Sequence, residues 1–236
     1  MTALPYTLDP DDTEATPMGL IVLQTDETIE PEFKHHFADC KSPIYVSRIP
    51  SGAIVSTQSL GAMETALPAA ADLLPKARPY RVVGYGCTSA SSVIGSEKVE
   101  AMVQQTCDTS TVTNPLRAAA ACARHHGVAK LALLSPYIEA VNEPLRRAFA
   151  NSGLSTDVFA TFGEADEAKV VRISTASIVE AASKMGADPM VDAVFLSCTN
   201  LRTLAAIPQI EARISKPVLS SNQCLAWHMG RLNATQ

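Results

Sequence analysis

Apolar residues along this chain gather in short continuous runs rich in β-branched side chains, and longer mixed stretches with helical spacing separate them. Strands are predicted at 19–23, 44–48, 82–85, 110–113, 130–134, 155–160, 193–196 and 217–220. Helices are predicted at 30–37, 59–74, 89–105, 114–125, 140–151, 175–184 and 201–213. Alternation of this kind argues for an α/β protein with parallel strands and right-handed crossovers.

The order of these elements repeats. Each half offers a strand, a loop and a second strand, then a third strand that ends in Cys-Thr (Cys87-Thr88, Cys198-Thr199). A fourth strand closes each half with small hydroxyl residues and Asn, in Ser110-Thr-Val-Thr-Asn114 and Val218-Leu-Ser-Ser-Asn222. This is a weak duplication of roughly 110 residues. It predicts two similar lobes, each a four-stranded, mostly parallel sheet flanked by helices, with an active site in the cleft between them. The expected division is a flexible acidic tail over 1–17, a first lobe from 18–113 plus 217–236, and a second lobe over 114–216. Ligands of open parallel sheets bind outside the carboxyl ends of the strands, so both cysteines are expected to face one cleft.

Composition narrows the classes of function. A chain of 236 residues with 47% hydrophobic and 18% charged residues can bury a substantial core. Its net charge of −5 and lack of basic runs argue against nucleic acid or an anionic membrane as partner. No apolar stretch is long enough to span a bilayer, and the N-terminus lacks the basic start and hydrophobic core of a signal peptide, so a cytoplasmic location is expected. The six cysteines show neither C-x-x-C pairs nor zinc-like spacing, and in that compartment they would be free thiols. Gly84-Tyr-Gly86 makes no dinucleotide fingerprint or phosphate loop. No metal, nucleotide or other cofactor is expected.

Chemistry therefore centres on Cys87 and Cys198. A thiol at a strand end just before a helix meets free N–H groups and the positive end of the helix dipole, an environment that lowers a cysteine pKa. Two such thiols could act on opposite faces of one small carboxylate substrate. Hydroxyls and backbone amides are suited to stabilising charge on the substrate carboxylate, which makes Thr88, Ser89, Tyr137 and Thr199 candidate donors. Simpler roles compete: Thr88, Thr199, Asp26, Asn114 and Asn222 could each cap a helix. The adjacent His35-His36 and His125-His126 pairs point apart on a helix and read as surface or capping residues.

The paired Cys-Thr strand ends resemble the aspartate/glutamate racemase superfamily. Gly86-Cys-Thr-Ser-Ala-Ser91, Ser135-Pro-Tyr-Ile-Glu-Ala-Val-Asn-Glu143, Leu196-Ser-Cys-Thr199, Ala206-Ile-Pro208 and Lys216-Pro-Val-Leu-Ser-Ser221 are similar to its branch holding maleate isomerase and arylmalonate decarboxylase. Within that branch, Gln24-Thr-Asp-Glu-Thr-Ile-Glu30 looks most like the racemase-like protein of ectoine-utilisation clusters. The resemblance implies cofactor-independent catalysis with Cys87 and Cys198 as acid and base, and substrate contacts from Asp26, Thr88, Ser89, Tyr137, Glu167, Thr199 and Asn200. Self-association is left open.

Two departures bear on substrate. Asp26 and Glu167 stand where the isomerases have asparagines, and an extra carboxylate beside a dianion costs several kcal/mol, roughly 4 kcal/mol per pair at 4 Å and an effective dielectric near 20. The decarboxylases lack a counterpart of Cys87. The expected function is thus a two-cysteine racemase or epimerase of a small acidic or polar amino acid, with maleate cis-trans isomerisation as the alternative. Decarboxylation and a non-catalytic binding role are the remaining readings.

Overall fold

The computed structural model describes residues 3–9 and 15–234. Of the expected tail, residues 1–2 and 10–14 lie outside the described residues. Residues 3–9 are exposed and carry no regular structure, whereas 15–17 already join the body: the Ala15 carbonyl accepts from Arg78 at 3.4 Å and that of Pro17 from the Arg81 N–H at 2.9 Å.

Two four-stranded sheets form, and every strand pair in them is parallel. The first has the order β2-β1-β3-β4, from β1 (Met18–Leu23), β2 (Ile44–Ile49), β3 (Val82–Gly86) and β4 (Val112–Thr113). The second repeats it as β6-β5-β7-β8, from β5 (Lys130–Ser135), β6 (Ser155–Thr161), β7 (Ala193–Leu196) and β8 (Val218–Ser220). β1, β3 and β7 are buried along their whole length, as strands covered on both faces must be.

The helices are α1 (Ile29–His36), α2 (Thr57–Asp72), α3 (Thr88–Ile94), α4 (Ser96–Gln104), α5 (Pro115–His125), α6 (Glu139–Asn151), α7 (Glu167–Val170), α8 (Thr175–Gly186), α9 (Ile207–Ile214) and α10 (Ser221–Ala234). The single helix expected over 89–105 is two helices. Gly95 separates them at φ +96°, a left-handed conformation that closes α3 and opens α4. The helix expected from 201 begins only at Ile207, and α7 and α10 were not expected at all.

The expected placement of 217–236 in the first lobe needs correction, because β8 pairs with β7 in the second sheet. The helix that follows does lie on the first sheet: Leu225, Ala226 and Met229 of α10 pack with Leu20, Val22 and Val82. Its counterpart α5 makes the opposite crossing. It follows β4 of the first sheet, yet Leu116, Ala119 and Ala123 pack with Leu131, Leu133 and Phe195 of the second. A third cluster is continuous across both sheets, from Ile21, Ile49 and Tyr85 to Leu134, Val194 and Leu196. Exchanged helices and a shared core hold the carboxyl ends of the two sheets together.

Candidate active site

Strand order decides which loops meet. In each sheet the chain direction of travel reverses beside the first strand, between β1 and β3 and between β5 and β7, and a crevice opens at such a switch point. The loops leaving these four strands carry Asp26, Tyr137, Cys87 and Cys198. They surround one cavity, whose lining includes all nine residues singled out from the sequence: Asp26, Cys87, Thr88, Ser89, Tyr137, Glu167, Cys198, Thr199 and Asn200. Free space at its centre is about 10 Å³, enough for one water. The site is closed in this conformation.

Cys87 follows Gly86, where a Cβ would lie 2.6 Å from Ile29 Cδ1 and 3.3 Å from the Ile21 carbonyl, so any larger residue would force the Ile29 side chain aside where β3 ends against β1 and α1. Cys87 is itself the N-cap of α3, its sulfur accepting from the Ala90 N–H at 3.3 Å. Thr88 is therefore the first helical residue and not the cap. Its hydroxyl is free to donate to Ser221 Oγ at 2.7 Å. Burial pushes the Cys87 pKa up to about 12, the Ala90 amide opposes this, and the charges of Glu167 and Asp26 add to the rise. The lowering expected from a helix start is outweighed by desolvation, because the thiol is 4% exposed and faces carboxylates rather than cations.

The environment of Cys198 differs from the expected strand-thiol-helix junction. No helix follows until Ile207, and Cys198 adopts φ 103°, a conformation that costs a non-glycine residue on the order of 1–3 kcal/mol. Neighbouring hydrogen bonds hold it there. Its N–H donates to Ser221 Oγ at 3.1 Å, and its sulfur accepts from the Asn200 N–H at 3.3 Å and lies 2.9 Å from Tyr137 Oη. The Thr199 hydroxyl donates to the Gly86 carbonyl at 3.2 Å, across to the other sheet, and caps no helix. Burial raises the Cys198 pKa well above the usual thiol value, the charges of Glu167 and Asp26 raise it further, and Tyr137 and the Asn200 amide oppose the rise.

Two carboxyl groups share the cavity. Asp26 Oδ1 accepts from the N–H groups of Thr28 and Ile29, both at 2.8 Å, so the residue anchors the start of α1. Asp26 Oδ2 is buried and has no hydrogen bond of normal geometry among the described residues, although the Thr199 hydroxyl stands beside the carboxyl and favours its charged form. Glu167, at the start of α7, accepts from Tyr137 Oη at 2.6 Å and from Asn200 Nδ2 at 2.8 Å. Burial raises both carboxyl pKa values. Asn200 is fully committed within the protein: its Oδ1 also accepts from the Glu27 N–H at 3.0 Å. Among the described residues no lysine, arginine or histidine lines the cavity.

Several contributors were not singled out from the sequence. Ser51, Val55, Ser59 and Met63 add to the lining, from the loop after β2 and from α2. Ser221 links both cysteine loops. Glu32 of α1 is buried and accepts from the N–H groups of Thr203 (3.0 Å) and Leu204 (3.1 Å) and from Asn222 Nδ2 (2.9 Å), which fixes the turn after Cys198. Asn222 also donates to the Thr199 carbonyl at 2.8 Å, while Asn114 caps α5 through the Arg117 N–H at 3.0 Å; neither lines the cavity. Among the described residues no cluster of His, Cys, Asp and Glu is arranged to hold a metal, and no helix is long and apolar enough to cross a membrane.

Comparison with known proteins places this geometry in a family. Residues 53–236 match the profile of arylmalonate decarboxylase (Amdase). Arylmalonate decarboxylase of Bordetella bronchiseptica is 36% identical over 107 residues, and the match spans 45% of this chain and 45% of that protein's length. A liganded glycine-to-cysteine, cysteine-to-serine double mutant of arylmalonate decarboxylase superposes with a TM-score of 0.80 at 26% identity, covering 93% of each chain. A cysteine-to-alanine variant of maleate isomerase of Pseudomonas putida S16 with maleate gives 0.78 at 20% identity over 91% of this chain and 90% of that one. A Nocardia farcinica maleate cis-trans isomerase mutant with a covalently bound succinylcysteine intermediate gives 0.78 at 21% over 92% of each. At that identity the two isomerases show likeness of fold alone. By its sequence profile and its duplicated parallel sheets, this chain belongs to the arylmalonate decarboxylase family.

Proposed function

We propose that the protein is a cofactor-independent racemase or epimerase of a small amino acid with an acidic or polar side chain, using Cys87 and Cys198 as the proton acceptor and donor. One thiolate removes the α-proton, the carbanion is held as an enediolate by the N–H groups of Thr88 and Ser89 and the Ser89 hydroxyl, and the opposite thiol delivers its proton to the other face. Inversion follows, and each turnover exchanges the protonation states of the two sulfurs.

The observation that carries this reading is the buried Oδ2 of Asp26, beside which only the Thr199 hydroxyl stands, in a cavity that also holds Glu167 and has no Lys, Arg or His among the described residues of its lining. Arg48 acts on Asp26 from outside that lining, through its backbone carbonyl at 3.0 Å. A substrate ammonium satisfies that acceptor and stabilises both carboxylates. A dianion requires both to be protonated first. The aspartate-like and diaminobutyrate-like compounds of ectoine breakdown carry the ammonium group that this reading requires, and the Gln24–Glu30 loop supports that choice by its resemblance.

Maleate isomerisation is the second reading, favoured by the fold likeness to two maleate isomerases. There a thiolate adds to the double bond, rotation follows, and the thiolate leaves. Proton NMR in deuterated water with aspartate, hydroxyaspartate, diaminobutyrate derivatives and maleate separates the two. Loss of a Cα–H signal from an amino acid supports racemisation. Fumarate from maleate with the amino acids untouched overturns it.

A further inference from the structure

Tyr137 stands between the carboxylate of Glu167 and the thiol of Cys198. Its oxygen is 2.6 Å from Glu167 Oε1 and 2.9 Å from Cys198 Sγ, and all three residues are buried. A phenol has one proton and can donate to only one neighbour at a time. With Glu167 ionised, Tyr137 donates to it and accepts from the S–H. With Cys198 ionised, Tyr137 donates to the sulfur and accepts from a protonated Glu167. The two arrangements contain the same atoms and the same single negative charge.

The geometry points to Glu167 as the base that activates Cys198, with Tyr137 passing the proton between them. The step balances: the S–H bond of Cys198 breaks as its proton moves to Tyr137 Oη, while the Tyr137 proton leaves Oη and forms an O–H bond on Glu167 Oε1. Thiolate and carboxylic acid result, with no charge entering or leaving the site. The reverse movement returns the proton. The inference deepens the function proposed above, since it rests on Cys198 being a reacting thiol.

Three features support the assignment. Asn200 Nδ2 holds the other oxygen of Glu167 at 2.8 Å, so Oε1 stays aimed at Tyr137. The Tyr137 loop is fixed by Asn142, whose amide donates to the Tyr137 carbonyl at 2.7 Å, and by the Thr161 hydroxyl on the same carbonyl. Desolvation disfavours ionisation of all three groups, so a single charge shared along the chain is favoured over a second charge placed on sulfur. Asp26, Cys87 and Asp166 are the other titratable groups facing this chain, and among the described residues no Lys, Arg or His lines the cavity to stabilise an isolated thiolate.

The test needs no substrate. The rate of Cys198 alkylation by iodoacetamide is measured from pH 5 to 11 by peptide mass spectrometry, with the buried Cys107, which Glu167 does not influence, in the same sample as the reference for loss of structure. Groups coupled in this way titrate as a unit in two steps. Wild type is expected to show a first rise in Cys198 reactivity as Glu167 loses its proton, a plateau near neutral pH, and a second rise in the alkaline range. Glu167→Gln should lose the plateau and react at least tenfold more slowly at pH 7. Tyr137→Phe, with Glu167 intact, should lose it as well.

A simple charge effect has the opposite sign. If Glu167 only repelled a thiolate, Glu167→Gln would alkylate faster at pH 7, and that result overturns the proposal. An unchanged rate in both variants overturns it too. Circular dichroism and the Cys107 rate identify a misfolded variant, in which case wild type alone decides by two steps or one. Failure here leaves racemisation intact, and failure of racemisation leaves the alkylation profile readable.

Discussion

The hydroxyl of Ser221 accepts a hydrogen bond from the hydroxyl of Thr88 at 2.7 Å, and the same oxygen accepts from the N–H of Cys198 at 3.1 Å. One side chain at the start of α10 thus ties the loop bearing the first thiol to the backbone of the second. Because α10 leaves the second sheet and packs on the first, this link depends on the helix exchange that joins the lobes.

Ser221→Ala should therefore reduce stability by about 1–2 kcal/mol, the cost of leaving buried donors unpaired. Turnover should fall further than stability, since the φ 103° conformation of Cys198 loses a restraint. Chemical denaturation and kcat measured on the same preparation check both. An unchanged kcat would show that the strained conformation is held without Ser221.

Asp26 gives a pH-dependent prediction. Its folded-state pKa is raised by burial, so its contribution to stability is full below the unfolded carboxylate pKa and is lost as pH rises through the folded value. Asp26→Asn keeps an acceptor for the Thr28 and Ile29 amides and removes the buried charge. The variant's Tm relative to wild type should rise between pH 4 and pH 8, while amino acid turnover falls by at least tenfold. Thermal melts across that range test the sign, and a Tm difference independent of pH would mean that Asp26 is not titrating in the fold.

The same electrostatics separates substrates. If maleate binds, Asp26 and Glu167 must take up protons, so its affinity should improve as pH falls, whereas an α-amino acid should bind better as pH rises from 5 to 7. Calorimetric titration in two buffers of different ionisation enthalpy measures the proton uptake directly. Equal affinity at all pH values for both ligands would remove the two carboxylates from the account of specificity.

A cavity of about 10 Å³ cannot admit an amino acid without opening. The loop after β2 spans the cleft: the Val55 N–H donates to the Ala165 carbonyl at 2.8 Å and the Glu167 N–H to the Ala53 carbonyl at 3.0 Å. These two amides should exchange hydrogen faster than those of β3 in the free protein and become protected when substrate is bound. Protection of both amides equal to that of β3 in the free protein would place the entrance elsewhere.

Much of this architecture was legible because fully buried parallel strands leave continuous apolar runs, as in Ala193-Val-Phe-Leu196. All eight strands were expected, and the Cys-Thr ends of the third and seventh led directly to the cavity. The turn at 199–206 was hidden: its residues have helical spacing, but the buried Glu32 carboxylate, distant in sequence, takes the Thr203 and Leu204 amides. The low thiol pKa was misjudged for a related reason. A local motif shows the helix start after Cys87 but not the desolvation and the two carboxylates supplied by other loops. Ser221 was visible only as part of the Ser-Ser-Asn strand end and the Lys216–Ser221 resemblance, and its link to both cysteine loops depends on α10 crossing to the other sheet.

The central claim is that Cys87 and Cys198 work from opposite faces of one α-carbon. The most direct test is α-proton exchange in deuterated water by Cys87→Ala and Cys198→Ala, each given the separate enantiomers of the amino acid turned over by wild type, with Cys40→Ser as control. Each thiol variant is expected to lose racemisation by at least a thousandfold yet still wash deuterium into one enantiomer, and the two variants should select opposite enantiomers. Exchange of both enantiomers by either variant, or full racemisation without one of the cysteines, would contradict the two-thiol mechanism.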